Sequence, residues 1–250
     1  MTSRIATTLN ENLQRLRGRI DAACERVGRD PHGVTLVAVT KYADLDWVKA
    51  LVDLGVTDLG ESRPQQLVAR ASQLPGHLRW HLIGHLQRNK VDLVLPAVTR
   101  IHSVDSVRLI EAIHKESLKQ IAGTKDSAVS RRPGILLEVN VSGEASKDGF
   151  DPADLLAAWP GILQWDAVRI DGLMTMAPHE DSDDVSRRVF RSLRAVRDQL
   201  VQAAEGRLPL PELSMGMSGD FEIGIEEGAT FVRIGSSLFE GLVSREPPGG

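Results

Sequence analysis

The chain holds a single cysteine, Cys24, among 250 residues. One thiol closes no internal disulfide, and no Cys/His cluster stands at zinc-ligand spacing. Aromatic residues make up only 4% of the chain, too few for the stacking platform that single-stranded nucleic acids require. Only one of them is a tyrosine, Tyr42. The formal net charge is a modest −4, which gives no electrostatic reason for a nucleic-acid partner. No stretch approaches the roughly 18 apolar residues of a membrane span. The opening MTSRIATTLNENLQRLRGRI has no apolar core of signal-peptide length. These absences predict a soluble cytoplasmic chain that binds no metal, membrane or nucleic acid. A composition of 42% hydrophobic and 26% charged residues is that of a globular protein and argues against disorder.

Apolar periodicity supplies the architecture. Ile5, Leu9, Leu13, Leu16, Ile20 and Ala23 recur at helical spacing, and Gly28 with Asp30-Pro31 ends that helix. TLVAVT (35–40) reads as a buried parallel strand. Seven more strands follow, near 56–60, 79–83, 99–103, 134–141, 168–174, 211–215 and 230–235. Helical stretches such as 44–54, 105–121 and 183–205 lie between them. No repeat or linker divides the chain. The expectation is an α/β fold: one (β/α)8 TIM-type barrel over residues 1–244 with an extra N-terminal helix. The polar segment 123–134 reads as loose, and the tail 245–250 as disordered.

Barrel sites gather at the C-terminal ends of the strands, and small and polar residues concentrate there. Lys41 ends the first strand. Alternation places Val37, Val39 and Lys41 on one face and Tyr42 on the other, so Lys41 reaches the barrel mouth if the valines face inward. A partly desolvated lysine suits Schiff-base chemistry; the plainer alternative is a lysine snorkelling from a strand end to water. Ser214-Met-Gly-Met-Ser218 follows strand seven and Gly235-Ser236-Ser237 follows strand eight, where such barrels often bind phosphate. N-capping serines are the plainer alternative. Both loops, with a lysine across the barrel, make a coherent site for a phosphorylated aldehyde. Arg233 shares the face of Gly235. It suits a pyridine nitrogen, because it can only donate, or an internal ion pair with Glu138.

These segments resemble a known family, the pyridoxal phosphate homeostasis proteins (also called proline synthase co-transcribed proteins), which have the alanine-racemase-like barrel termed fold type III. The resemblance spans residues 35–241 through VAVTKY (37–42), GESRPQQL (60–67), WHLIGHLQRNK (80–90), IHSVDS (101–106), EVNVSGEASKDGF (138–150), GLMTMAP (172–178), LSMGMSGDFEIGI (213–225) and VRIGSSLFEG (232–241). It implies pyridoxal 5′-phosphate (PLP) held as an internal aldimine on Lys41. Arg233 would face the ring nitrogen, and Ser214, Gly235 and Ser236 would hold the phosphate with Ser218 nearby. His81, Asn140 and Met174 would line the ring. Ser62 stands where the family has asparagine, which shortens or removes a contact near the cofactor. Ser236 stands for threonine and keeps the hydroxyl.

The resemblance implies a monomeric protein of intracellular PLP supply, with apo PLP enzymes as partners receiving the cofactor. The alternative is a small PLP-dependent racemase. Three features favour the carrier: the chain ends after the eighth unit, where racemases carry a second domain; Tyr42 is placed away from the ring; and Arg233 at the pyridine nitrogen makes the ring a weak electron sink. No catalytic residue is assigned.

Overall fold

Eight parallel strands pair in chain order, and the eighth closes on the first. The computed structural model describes residues 2–123, 132–144, 148–178 and 182–242. Most of the loose segment 123–134, and the whole tail 245–250, therefore lie outside the described residues. The N-terminal helix α1 (Thr2–Arg26) precedes β1 (Thr35–Val39). The units continue through α2 (Leu45–Asp53), β2 (Asp58–Glu61), α3 (Pro64–Ala71), β3 (Arg79–Leu82), α4 (Val91–Val94), β4 (Arg100–Val104) and α5 (Val107–Gly123). The second half runs β5 (Gly134–Glu138), α6 (Pro152–Ile162), β6 (Arg169–Met174), α7 (Asp183–Ala203), β7 (Glu212–Ser214), α8 (Phe221–Glu226) and β8 (Phe231–Ile234). Each expected strand is present, several of them shorter than the apolar runs that announced them.

Two packing layers follow from strand alternation. Ala38, Leu59, Leu82, Ile101, Ile135, Leu137, Leu173 and Val232 turn outward into one apolar cluster with the helices. The inward face is more polar. Val37 presses on Gly60, where an added Cβ would lie 2.9 Å from Val37 Cγ1. Around it stand His81, His102, Ser214 and Arg233, all buried.

The N-terminal end of the barrel is crossed by ion pairs that involve the first residues of four strands. Arg79 pairs with Asp58, and Arg100 and Arg169 both pair with Asp171. The Arg100 guanidinium also stacks 4.7 Å from the Phe231 ring centre. That end is closed by structure, which leaves the C-terminal ends of the strands for chemistry.

Helix α1 is tied to the last unit of the chain. Arg19 makes a two-pronged contact with Glu222 at 3.0 and 2.8 Å. The buried Asn12 donates to the carbonyl oxygens of Leu238 and Glu240, so the extra helix braces the turn after β8. No helix among the described residues is long and apolar enough to cross a membrane.

Candidate functional site

Strand β1 stops at Val39, one residue short of the expected TLVAVT run. Lys41 and Tyr42 lie in the following turn, where alternation no longer applies. The expectation that Tyr42 points away from Lys41 is therefore corrected. Lys41 Nζ sits 5.0 Å from the Tyr42 ring centre, and Tyr42 is exposed. Lys41 itself is half-buried.

The turn is held from the neighbouring unit. Gln66 of α3 donates to the Lys41 carbonyl oxygen at 3.1 Å. Arg70, also on α3, donates to the carbonyl oxygens of Thr40 and Ala43 and pairs with Glu61. The Thr40 hydroxyl donates to Glu61 Oε1 at 2.5 Å. Glu61 Oε2 is buried with no hydrogen-bond partner among the described residues. Burial pushes the Glu61 carboxyl up, while Thr40, Arg70 and the charge of Lys41 pull it down.

The lysine is not across the barrel from the glycine-serine loop, as the sequence suggested. Because β1 pairs with β8, Gly235 lies against Val39, its Cβ position 3.4 Å from Val39 Cβ. The two loops are neighbours on one rim. Gly235 N and Ser237 N both donate to Ser218 Oγ, at 3.3 and 3.4 Å. Gly216 takes φ +98°, with the Cα of Phe221 only 2.7 Å from where a Cβ would stand; a side chain there is strained and crowded. Asp220 Oδ1 accepts from Met217 N, and the Arg233 amide donates to the Gly216 carbonyl. Ser218 is thus fixed by these two amides, and Ser236 is exposed beside them.

Arg233 lies below this cup, 4% exposed. Its Nη1 donates to Ser214 Oγ at 2.5 Å and its Nη2 to the Thr175 carbonyl oxygen at 2.9 Å. It makes no salt bridge among the described residues, so the ion pair with Glu138 does not form. Burial lowers its pKa to about 10, against the raising fields of Glu138 and Asp220.

The remaining expected residues divide. Met174 is buried at the end of β6, and alternation turns it opposite to the outward Leu173. Ser62 is half-buried and packs on Gly84 so closely that a Cβ there would meet its carbonyl oxygen at 2.4 Å. Asn140 serves its own loop, donating to the Glu144 carbonyl oxygen and accepting from Ser142 Oγ and Gly143 N. Ser214 is fully buried beneath the phosphate-type loop, between His102 and Arg233. His81 lies inside the barrel, with Asp58 and His102 on its two ring nitrogens. Asp58, His102, Arg70 and Asn12 escaped the sequence reading; only cross-strand register or helix packing brings them into play.

Comparison with known proteins identifies the family and the fold. Residues 11–242 match the family model described as alanine racemase, N-terminal domain. A pyridoxal phosphate homeostasis protein of Aquifex aeolicus is 39% identical over 92% of this chain and 96% of its own. One from Pseudomonas aeruginosa is 35% identical over 93% and 95%. PipY of Synechococcus elongatus, solved with PLP bound, superposes with a TM-score of 0.79 at 33% identity, covering 92% of this chain and 99% of PipY. With matches of this extent, the chain belongs to the pyridoxal phosphate homeostasis protein family, built on the barrel of the alanine racemase N-terminal domain.

Proposed function

We propose that this chain binds PLP through a Schiff base on Lys41 and holds it for intracellular supply rather than for efficient turnover. The observation that carries the reading is Arg233. It is a buried guanidinium with only neutral hydrogen-bond partners among the described residues, lying between a lysine turn and the Gly235–Ser237 loop. Burying an unpaired charge is costly, and the ring nitrogen of a phosphorylated pyridine aldehyde would give the guanidinium a further acceptor. Its phosphate would meet the Ser218 and Ser236 hydroxyls and, in place of Ser218 Oγ, the Gly235 and Ser237 amides. Its ring nitrogen would meet Arg233, and its aldehyde would meet Lys41. Ser214 then supports Arg233 rather than the phosphate.

An arginine can only donate, so it binds the ring nitrogen unprotonated. PLP is an electron sink for carbanions, and it is a weak one when its nitrogen carries no proton. Gln66 and Arg70 hold the peptide that presents Lys41, which fixes where the amine meets the aldehyde. The rim location of Lys41 beside the exposed Tyr42 leaves the amine accessible to water and to incoming amines, which suits release of the cofactor.

The test pairs two assays on one preparation. Holoprotein mixed with an apo PLP enzyme should restore that enzyme's activity. α-Hydrogen exchange with a panel of L-amino acids should run far below the roughly 1–1,000 per second of ordinary enzymes. Exchange within that range, lost in Lys41→Ala, would make the chain a small racemase instead.

A further inference from the structure

The barrel interior carries a line of polar groups that binding a cofactor does not by itself require. It begins at Asp58 on β2, passes His81 on β3 and His102 on β4, and crosses to Ser214 on β7 and Arg233 on β8. Asp58 Oδ1 lies 3.0 Å from His81 Nε2, and His81 Nδ1 lies 2.9 Å from His102 Nε2. His102 Nδ1 lies 2.8 Å from Ser214 Oγ, which Arg233 Nη1 reaches at 2.5 Å. All five residues are buried, and the Phe231 ring packs on both imidazoles.

We propose that Asp58, His81, His102 and Ser214 are positioning residues that set Arg233 for the ring nitrogen of the cofactor, through a one-directional line of hydrogen bonds ending on the Asp58 carboxylate. The proposal rests on PLP as the ligand of this site.

The direction follows from donor chemistry. A carboxylate only accepts, so His81 carries its proton on Nε2. A neutral His81 then accepts at Nδ1, and His102 must donate from Nε2. A neutral His102 accepts at Nδ1, so the Ser214 hydroxyl donates to it. The lone pairs of Ser214 are thereby left facing Arg233, which only donates. Each link has one donor and one acceptor.

Both rings must be neutral for this order to hold, and their surroundings enforce it. Burial holds His81 below its ordinary value, helped by Arg100 and Arg79 and opposed by Asp58. Burial takes His102 further down, helped by His81, Arg233 and Arg100. Burial pushes Asp58 up, but hydrogen bonds from His81 and Arg79 keep it well below the carboxylate range.

Four polar side chains in a barrel core are a poor stability choice, since apolar groups of similar shape cost less to bury. A line this fully satisfied fixes geometry instead. What it fixes is the Arg233 guanidinium, held by Ser214 on one nitrogen and by the Thr175 carbonyl on the other.

Two measurements test this. Nitrogen-15 NMR of the ligand-free wild type at neutral pH should show His81 and His102 as neutral Nε2–H tautomers. A protonated His81, or a His102 carrying its proton on Nδ1, would overturn the stated direction. The second measurement compares Ser214→Ala and His102→Leu in binding PLP and its 1-deaza analogue, whose ring nitrogen is replaced by C–H. Each variant should weaken PLP by about tenfold or more while changing the analogue by less than about twofold. Equal weakening of both ligands, or of neither, would overturn the positioning role. Failure of wild type to bind PLP would defeat the functional reading instead, and the tautomer result would stand apart from it.

Discussion

Arg70 donates from Nη1 to the carbonyl oxygen of Thr40 at 2.8 Å, so a residue of the second βα unit holds the peptide that leads into Lys41. The same guanidinium reaches the Ala43 carbonyl and pairs with the fully buried Glu61. Arg70→Ala should therefore do two things. It leaves a buried carboxylate without its cation, at a cost of about 3–5 kcal/mol, and it frees the turn that presents Lys41. Arg70→Lys keeps the charge but not the fork that spans two carbonyls. Denaturant melts should show much of the stability restored in the lysine variant, while PLP titration still shows weakened binding. Wild-type affinity in Arg70→Lys would show that the turn needs no such brace.

The phosphate cup separates two ligands. Ser218→Ala combined with Ser236→Ala should weaken PLP far more than unphosphorylated pyridoxal. A hydrogen bond to a charged acceptor is worth about 1.5–3 kcal/mol, tenfold or more in affinity for each. Titration of both ligands into both proteins measures this, and equal losses would place the phosphate elsewhere.

Glu138 gives a pH dependence whose sign can be worked out. Its carboxyl titrates at about 7 instead of 4.5, because burial and then Asp148 and Asp105 oppose its charge more than Arg233 and His85 favour it. Below about pH 4.5 the group is neutral both folded and unfolded. As pH rises, the unfolded chain ionises first, and stability falls until the folded group ionises too. The full cost, on the order of 3 kcal/mol, is present above pH 7. Glu138→Gln should thus match the wild type near pH 4 and exceed it at pH 8.5. A difference between the two proteins that stays flat across that range would contradict the assignment.

Gly172 on β6 leaves no room for a side chain. A Cβ there would lie 1.8 Å from the Glu212 carbonyl oxygen and 2.9 Å from its Cα. Backbone of β7 would have to move, so Gly172→Ala should cost more than the roughly 1–3 kcal/mol of ordinary overpacking. A shift in the denaturation midpoint worth less than about 1 kcal/mol would show that β7 yields easily.

The barrel was legible because its strands are short apolar runs spaced by turn formers, a pattern that survives without knowledge of neighbours. The positions of Lys41, Arg233, Ser218 and Gly235 near the strand ends were legible because strand ends and glycine-serine loops mark themselves in one dimension. The Asp58–His81–His102–Ser214 line was not, since its members come from four strands and meet only through register across the barrel. Alternation failed at Tyr42 for a local reason: the strand had already ended at Val39, and a turn has no two-residue period. The placement of Lys41 opposite the glycine-serine loop failed for a global one, because closure makes the first and eighth strands neighbours.

The linkage at Lys41 is the claim on which the rest depends. Purified protein loaded with PLP should show a visible absorption band that borohydride shifts, and digestion with mass mapping should place the pyridoxyl group on Lys41. Lys41→Ala should lose the band while phosphate-dependent binding through the Gly235–Ser237 loop persists in weakened form. A pyridoxyl group found reproducibly on another lysine of the folded protein, or an unchanged band in Lys41→Ala, would contradict the account.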